Sequence, residues 1–170
     1  MNNELSRPIV LAHIPAAGRQ ERVEASPAER EALARRFELL ALDSLQAEVT
    51  IKPTIDGGFS VVGRMRAEVV QACVVTLEPV PQHIDEAVNW QVVQAAAGEE
   101  EEPGEEDDLD GPDQVEVSDG VLDLGEEIAQ QLSLALDPYP RAPGAGLGEE
   151  GVGDGPFNPF AVLRTVQRKS

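Results

Sequence analysis

The sequence predicts an α+β fold: a single domain with a mainly antiparallel β-sheet and two helices, carrying an acidic disordered insertion and a flexible C-terminal tail. A chain of 170 residues, of which 41% are hydrophobic, can bury one core of ordinary size. Several segments alternate apolar and polar residues as half-buried antiparallel strands do, and two segments have helical spacing. Half of the 32 acidic residues lie within residues 99–137, which contain no basic residue.

The N-terminal part predicts one strand and one helix. Residues 8–14 are short and apolar and are followed by Pro15, so we expect a strand there. A helix is expected after Ser26, because Ser26 and Glu29 have the spacing of a capping box and Pro27 suits the first helical position. The apolar side of this helix is predicted to contain Leu33, Phe37, Leu40 and Ala41.

The middle of the chain predicts neighbouring strands joined by a tight turn. Val49 and Ile51 alternate with polar residues, and the Asp-Gly-Gly at 56–58 is typical of a hairpin turn. A long strand follows, in which Arg64 and Arg66 fall on the polar face. Its apolar face is predicted to contain Phe59, Val61, Gly63, Met65, Ala67, Val69 and Cys73.

A further strand is predicted after Pro79 and Pro81, which we expect to break the chain. A short strand is predicted at Val115 and Val117. The core-facing positions of the longer strand are predicted to be Ile84, Val88, Trp90 and Val92.

The second helix is predicted to begin at Asp123, whose side chain can cap a first turn that contains Glu126. It is expected to stop at Asp137-Pro138, because the residue before a proline disfavours the helical region. Its apolar stripe is Leu124, Ile128, Leu132, Ala135 and Leu136.

The organisation predicted from these segments is a domain at 1–140, a Gly/Pro-rich linker at 141–156 and a short docking segment at 157–170. The acidic stretch at 99–113 is expected to be a disordered loop, and we expect that residues 99–112 can be deleted without unfolding the domain. The docking segment is open to two interpretations, a tethered docking helix or a segment that folds back on its own domain. Its apolar residues at near-helical spacing are Phe160, Leu163 and Val166.

The net charge of −19 excludes a broad basic surface of the kind that coats nucleic acid, so no DNA partner is expected. The single cysteine excludes an internal disulfide and agrees with a reducing compartment. The first residues lack the pattern of a secretory signal, and no apolar run approaches bilayer length. We therefore expect a soluble cytoplasmic protein without a membrane partner, and the sequence does not predict its oligomeric state.

The sequence contains few groups for catalysis or metal binding. His13 and His83 are the only imidazoles, and both fall within predicted strands, where a structural role is the simpler interpretation. Cys73 is expected to be a buried small hydrophobe, with a reactive thiol as the alternative. These residues have no ligand spacing for a metal, and no glycine-rich phosphate loop is present, so no cofactor, metal or catalytic site is predicted.

Arg64 and Arg66 are candidate binding residues, because both project from the polar face of the long strand. One interpretation is that they form a local basic patch within an acidic molecule, together with Arg30, Arg35 and Arg36 of the first helix. The alternative is that they form salt bridges to nearby glutamates.

Two long motifs carry a family resemblance. Residues 64–80, Arg-Met-Arg-Ala-Glu-Val-Val-Gln-Ala-Cys-Val-Val-Thr-Leu-Glu-Pro-Val, and residues 123–141, which include Asp137-Pro138-Tyr139-Pro140, resemble the YceD family of bacterial and plastid proteins. The Pro-Phe-Ala-Val-Leu at 159–163 is similar to that family's closing segment. The resemblance covers most of the chain from the first strand to the end and leaves out the acidic insertion and the Gly-rich linker.

One departure from the family pattern concerns a Cys-x-x-Cys pair. Cys73 matches the first cysteine of that pair, and Leu77, Glu78 and Pro79 match the turn that follows it. Thr76 stands where the second cysteine would be, so a metal or redox role of the pair does not carry over.

The resemblance implies a non-enzymatic factor in ribosome biogenesis that supports accumulation or processing of the large-subunit ribosomal RNA. Its partners would be a large-subunit RNA precursor or assembly and processing proteins. The alternative is an acidic protein-protein adaptor without RNA contact, which would use the turn from Cys73 to Pro81, the second helix and the C-terminal segment. An enzyme is disfavoured because no base and nucleophile converge in the predicted elements.

Overall fold

The computed structural model describes residues 3–95 and 111–144, which form seven strands and two helices. The predicted α+β class is confirmed. Most of the predicted acidic loop, most of the linker and all of the docking segment lie outside the described residues. The elements are β1 (Pro8–Val10), β2 (Arg19–Glu24), α1 (Pro27–Arg36), β3 (Ala41–Pro53), β4 (Phe59–Ala72), β5 (Pro79–Gln94), β6 (Asp113–Val117), β7 (Val121–Asp123) and α2 (Leu124–Ala135).

Two sheets are present in the described part of the chain. The larger has the strand order β2-β3-β4-β5-β6, and its neighbours are antiparallel except for β5 and β6, which run parallel. The smaller pairs β1 with β7. The centre of the larger sheet is the β4-β5 hairpin, in which Phe59 lies opposite Val92 and Ala72 lies opposite Pro79.

The two faces of the larger sheet differ in burial. Alternate residues of β3, β4 and β5 are buried in one core with α1, α2 and the smaller sheet. Trp90 is part of this core, and its indole Nε1 donates a hydrogen bond to Gln131 at 3.2 Å. We call the other side, with Arg64, Arg66 and their outward-facing neighbours, the open face. Its side chains are exposed or half-buried.

The first predicted strand and the first predicted helix are shorter than expected. Only Pro8–Val10 is a strand, and residues 11–13 form a 3₁₀ turn, so His13 does not lie in a strand. The capping box of α1 is confirmed, but the helix ends at Arg36, because Glu38 adopts a positive φ of 56°. Leu40 is therefore exposed rather than on the helix stripe, and Ala41 begins β3.

Two further differences concern the strands. The sequence does not predict β2, because Arg-Gln-Glu-Arg-Val-Glu has one apolar residue, Val23, on which to detect alternation. Pro79 and Pro81 do not break the chain but lie within β5. They are tolerated because β6 pairs only with Trp90–Gln94, which leaves the first part of β5 without a partner strand on that side.

An acidic side chain anchors the N-terminal segment to α2. The carboxylate of Asp123 accepts hydrogen bonds from the backbone N–H of Arg7 at 2.7 Å, from Ser6 at 2.8 Å and from Asn3 at 3.1 Å. It also caps α2 through the N–H of Glu126 at 3.3 Å, as predicted. Burial raises the pKa of Asp123, but these donors outweigh it and the pKa is lowered.

Ion pairs extend this anchor to α1. The guanidinium of Arg7 binds both carboxylate oxygens of Glu29, at 2.8 and 3.0 Å, and Arg36 binds both oxygens of Glu126, at 3.0 and 2.8 Å. The hydrogen bond from Arg7 is the main reason that the pKa of Glu29 falls to about 2. We call the set of Asp123, Arg7, Glu29, Arg36 and Glu126 the Asp123 hub. It connects the N-terminal segment to both helices.

Candidate functional site

The turn between β4 and β5 is closed by its own backbone. The N–H of Cys73 donates to the carbonyl of Glu78 at 2.8 Å, and the N–H of Leu77 donates to the carbonyl of Cys73 at 2.9 Å. Leu77 has a φ of +62°, a conformation that a branched side chain rarely adopts. The turn therefore holds a strained leucine, and its side chain is 76% exposed.

The segment after α2 lies against this turn. The N–H of Val74 donates to the carbonyl of Pro140 at 2.9 Å, and the amide of Gln71 donates to the carbonyl of Asp137 at 3.0 Å. The side chain of Asp137 in turn accepts from the N–H of Tyr139 at 2.9 Å. The structure thus brings together two segments that are far apart in sequence, and each segment contains one group of predicted site residues. The first group is Cys73, Leu77, Glu78 and Pro79, and the second is Asp137, Pro138, Tyr139 and Pro140.

Cys73 lies just beyond the end of β4 and is fully buried. It packs with Ala142 and Val80 in a small cluster separate from the main core, so its expected place on the apolar face of the strand is wrong although its burial is confirmed. Hydrogen bonds from Thr76, and then from the backbone of Ala142, lower the pKa of the Cys73 thiol to about 7. Thr76 therefore supplies a hydrogen-bond donor to the sulfur at the position where the family pattern has a second cysteine.

An exposed apolar patch surrounds the turn. The structure exposes nine large apolar side chains within residues 3–95 and 111–144, and four of these belong to the turn and to the segment that lies against it. We call Val74, Val75, Leu77 and Tyr139 the hairpin-tip patch; their exposed fractions lie between 51% and 76%. A clustered apolar surface with polar neighbours, here Glu78 and Asp137, is typical of a protein-binding site. The sequence has no local signal that singles out Val74 or Val75, because the contact with Pro140 joins distant parts of the chain.

Arg64 and Arg66 lie elsewhere, on the open face. Arg64 contacts Asp85 of β5 through its Nε, and Nε of Arg66 lies 3.7 Å from the other oxygen of the same carboxylate. The hydrogen bond from Arg64 and then the charges of Arg64 and Arg66 lower the pKa of Asp85. Both arginines remain more than half exposed. The arrangement therefore agrees with the salt-bridge interpretation, but the partner is Asp85 and not one of the glutamates that were expected.

The rest of the open face is mixed in charge. Glu48 of β3 lies opposite Arg64 in the sheet register and 4.0 Å from Arg22 of β2, while His83 of β5 contacts Glu68. The aromatic residues of the five strands, Phe59 and Trp90, belong to the core instead. A shallow depression of about 480 Å³ lies beside Arg22 and Glu48; its other lining residues are Gln20, Glu21, Val49, Thr50, Val62 and Gly63.

Within the described residues, neither histidine forms a hydrogen bond to a residue of the hairpin-tip patch. His13 is exposed in the 3₁₀ turn, and His83 lies in β5 on the open face. Among residues 3–95 and 111–144, no group of three or more His, Cys, Asp or Glu side chains is arranged to hold a metal ion. The same residues contain no helix that is long and apolar enough to cross a membrane.

Comparison with known families decides the identity of the chain. A family model described as Large ribosomal RNA subunit accumulation protein YceD matches residues 61–164, more than half of the chain. The chain belongs to the YceD family. The match contains the hairpin-tip patch, Arg64, Arg66 and α2, and it extends into the C-terminal segment. Comparisons with curated proteins and with solved structures found no match.

The YceD description names accumulation of the large-subunit ribosomal RNA and no catalytic activity. It places the chain in ribosome biogenesis. Both motifs that carried the resemblance at the sequence level fall within the matched residues, so the resemblance is confirmed.

Proposed function

We propose that this YceD protein supports large-subunit RNA accumulation as a non-enzymatic, cytoplasmic factor that binds an assembly or processing protein through the hairpin-tip patch. The observation that carries this proposal is the clustering of Val74, Val75, Leu77 and Tyr139 in solvent at the point where the two family motifs meet. Protein contacts use buried apolar and aromatic anchors, and the patch contains both kinds of side chain, Leu77 and Tyr139.

The electrostatics support a protein partner over bulk RNA. The net charge of −19 opposes contact with a polyanion, and the open face pairs its two candidate arginines with Asp85. Single-stranded RNA is commonly held by aromatic stacking, whereas the aromatic side chains of the larger sheet lie in the core.

The test replaces the patch in cells that depend on the protein. The variant Leu77→Asn with Tyr139→Ser removes two anchors, and Asn tolerates the left-handed conformation at position 77. We expect this variant to lower mature large-subunit RNA relative to small-subunit RNA as depletion does, and to lose the proteins that copurify with the wild type. Ile55→Ser is the matched control, because Ile55 is a fully exposed apolar residue in the other hairpin turn.

An unchanged RNA ratio with the patch variant, in cells where depletion lowers that ratio, would exclude the patch as the working surface. An unchanged ratio after depletion itself would exclude the role in RNA accumulation.

A second candidate is direct RNA contact by the open face, and the exposure of the Arg64 and Arg66 guanidinium groups favours it. Two phosphate contacts predict that log K falls with log salt with a slope of about −1.4 to −1.8. Arg64→Glu with Arg66→Glu should abolish such binding, while Arg22→Glu on the same face is the control. Affinity for RNA that does not depend on salt, or that survives the double substitution, would contradict this candidate.

A further inference from the structure

We propose that the C-terminal segment of the same chain, residues 157–170, binds to the hairpin-tip patch and covers it until a partner displaces it. This inference rests on the proposed function, since it gives the regulation of the surface to which a partner would bind.

The described chain ends beside the patch. Ala142 is buried against Cys73, Pro140 accepts the hydrogen bond of Val74, and the last described residue is Gly144. Residues 145–156 separate this point from the segment, and twelve residues can span at most about 40 Å. This length is enough to bring residues 157–170 back to a patch that lies within a few residues of the point of departure.

The segment has the apolar and charged groups that the patch would bind. It contains Arg164, Arg168 and Lys169 and no acidic residue, whereas residues 1–156 contain 10 basic and 32 acidic residues, a net charge of −22. Glu78 and Asp137 stand beside the patch and have the opposite charge. The apolar residues that would contact the patch are Phe157, Phe160, Val162, Leu163 and Val166.

Tethering makes a weak contact sufficient. A segment attached through a short connection experiences an effective concentration in the millimolar range, so an affinity that would be negligible between separate molecules is enough for occupancy. The same tether favours this occupant over a second copy of the chain, because two chains of charge −19 repel each other. A partner that buries more apolar surface can still displace the segment.

The conformation of Leu77 supports a binding role for the patch. A non-glycine residue with a left-handed backbone is strained, and at this strained position the described domain leaves the leucine side chain exposed. A glycine or asparagine would satisfy the turn at less strain. The family match, which begins in β4 and ends at Arg164, includes both this turn and the first half of the C-terminal segment.

The test uses the full chain and compares amide chemical shifts by nuclear magnetic resonance. Phe160→Ser with Leu163→Ser removes two apolar groups of the segment, and Leu147→Ser with Val152→Ser removes two from the preceding connection as a matched control. We expect the first variant to shift the amides of Val74, Val75, Leu77 and Tyr139 and to leave those of the core unchanged. We expect the control to shift none of these, and a tenfold dilution of the wild type to leave the spectrum as it is.

Identical patch shifts in the wild type and in the Phe160/Leu163 variant would overturn the inference. Patch shifts that change on dilution would overturn it too, because they indicate binding by the segment of a second copy. The RNA ratio distinguishes these failures from failure of the proposed function. Suppose that Leu77→Asn with Tyr139→Ser lowers the RNA ratio, but the Phe160/Leu163 variant leaves the amide shifts of the patch unchanged; the proposed function then stands and the inference falls. Suppose instead that the Phe160/Leu163 variant changes those amide shifts, but Leu77→Asn with Tyr139→Ser leaves the RNA ratio normal; the proposed function then falls and the inference stands.

Discussion

The Asp123 hub and the hairpin-tip patch lie near the two ends of α2 and use their side chains in different ways. At the hub, each carboxylate has several donors, and the N-terminal segment is held to both helices by charged groups. At the tip, the backbone is satisfied but the apolar side chains of the turn face solvent. In this acidic protein, polar side chains fix the N-terminal segment to both helices around the apolar core, whereas exposed apolar side chains form the candidate binding surface.

The largest effect on stability is expected at the hub, from Asp123→Ala. The substitution removes the cap of α2 and leaves the N–H of Arg7 without its acceptor. Together, the loss of the helix cap and of the acceptor for the part-buried N–H of Arg7 should lower the free energy of unfolding by about 3 kcal/mol. Denaturant unfolding measures it, with Asp119→Ala as a control in the preceding turn. A loss no greater than that of the control would contradict the importance of the hub.

Acid is expected to weaken the same region. The pKa of Glu29 is about 2 in the folded protein against an ordinary value of 4.5, and that of Asp123 is also lowered. A carboxyl whose folded pKa is depressed stabilises the fold fully above its unfolded pKa, and this stabilisation is lost as the pH falls from 4.5 towards 2. We expect a loss of the order of 2 kcal/mol from Glu29, below the full value of its pKa shift because solvent screens the partly exposed ion pair. Glu29→Gln should remove much of the pH dependence in that window.

Glu127, beside the hub, acts with the opposite sign. Burial, followed by the charges of Glu126 and Asp123, raises its pKa. Its ionisation therefore destabilises the fold at neutral pH, and protonation relieves this as the pH falls through its raised pKa. Glu127→Gln should accordingly raise the free energy of unfolding at pH 7 and leave it little changed below pH 4. A decrease at pH 7 would contradict this sign.

At the tip, a substitution is expected to stabilise the fold while harming function. Leu77→Gly relieves the positive φ and removes a side chain that the described domain leaves exposed, so we expect a gain of about 1 kcal/mol. Thermal unfolding measures the gain, and the large-subunit RNA ratio measures the loss of activity. Leu77→Ala is the companion variant, because it removes most of the side chain and retains the strain. A destabilised Leu77→Gly protein would show that the leucine belongs to the packing of the turn.

The smallest effect is expected from a charge pair outside both regions. Arg35 and Glu31 lie one turn apart on α1, at 3.7 Å, with side chains about three-quarters exposed. Such pairs contribute about 0.3–0.5 kcal/mol, so Arg35→Ala should change the unfolding free energy by no more than this. A loss comparable to that of Asp123→Ala would show that exposed charge alone stabilises the domain, and the distinction between hub and surface would fail.

The sequence predicted those elements whose signals are local. The alternation along β4 and β5, the capping box at Ser26 and the cap at Asp123 each depend on neighbouring residues, and each is present in the structure. The sequence does not predict β2, because its pairing with β3, and not an apolar pattern of its own, makes it a strand. The expected chain break at Pro79 and Pro81 is wrong, because the sequence alone does not show which part of a strand lies at an unpaired edge of the sheet.

The candidate site was predictable only in pieces. Both motifs that form it were noted, and Arg64 and Arg66 were correctly placed on the polar face. Their common partner, Asp85, required the register of β4 against β5, and the contact of Val74 with Pro140 joins residues 66 positions apart. The φ of Leu77 has no signature in the sequence, since leucine does not favour that conformation.

The parallel pairing of β5 with β6 imposes a length on the acidic connection between them. Ala95 donates to the carbonyl of Val117, while Asp113, at the start of β6, lies beside Trp90. The connection must therefore return along about 17 Å of strand before β6 begins, and parallel strands normally need a dozen or more residues for this. Deleting 99–112 leaves only the four residues 95–98 between β5 and β6, so the deletion that was expected to be harmless should release β6. Replacing the acidic residues one for one with serine and glycine should retain β6. The fold therefore requires the number of residues in the connection but not their negative charge.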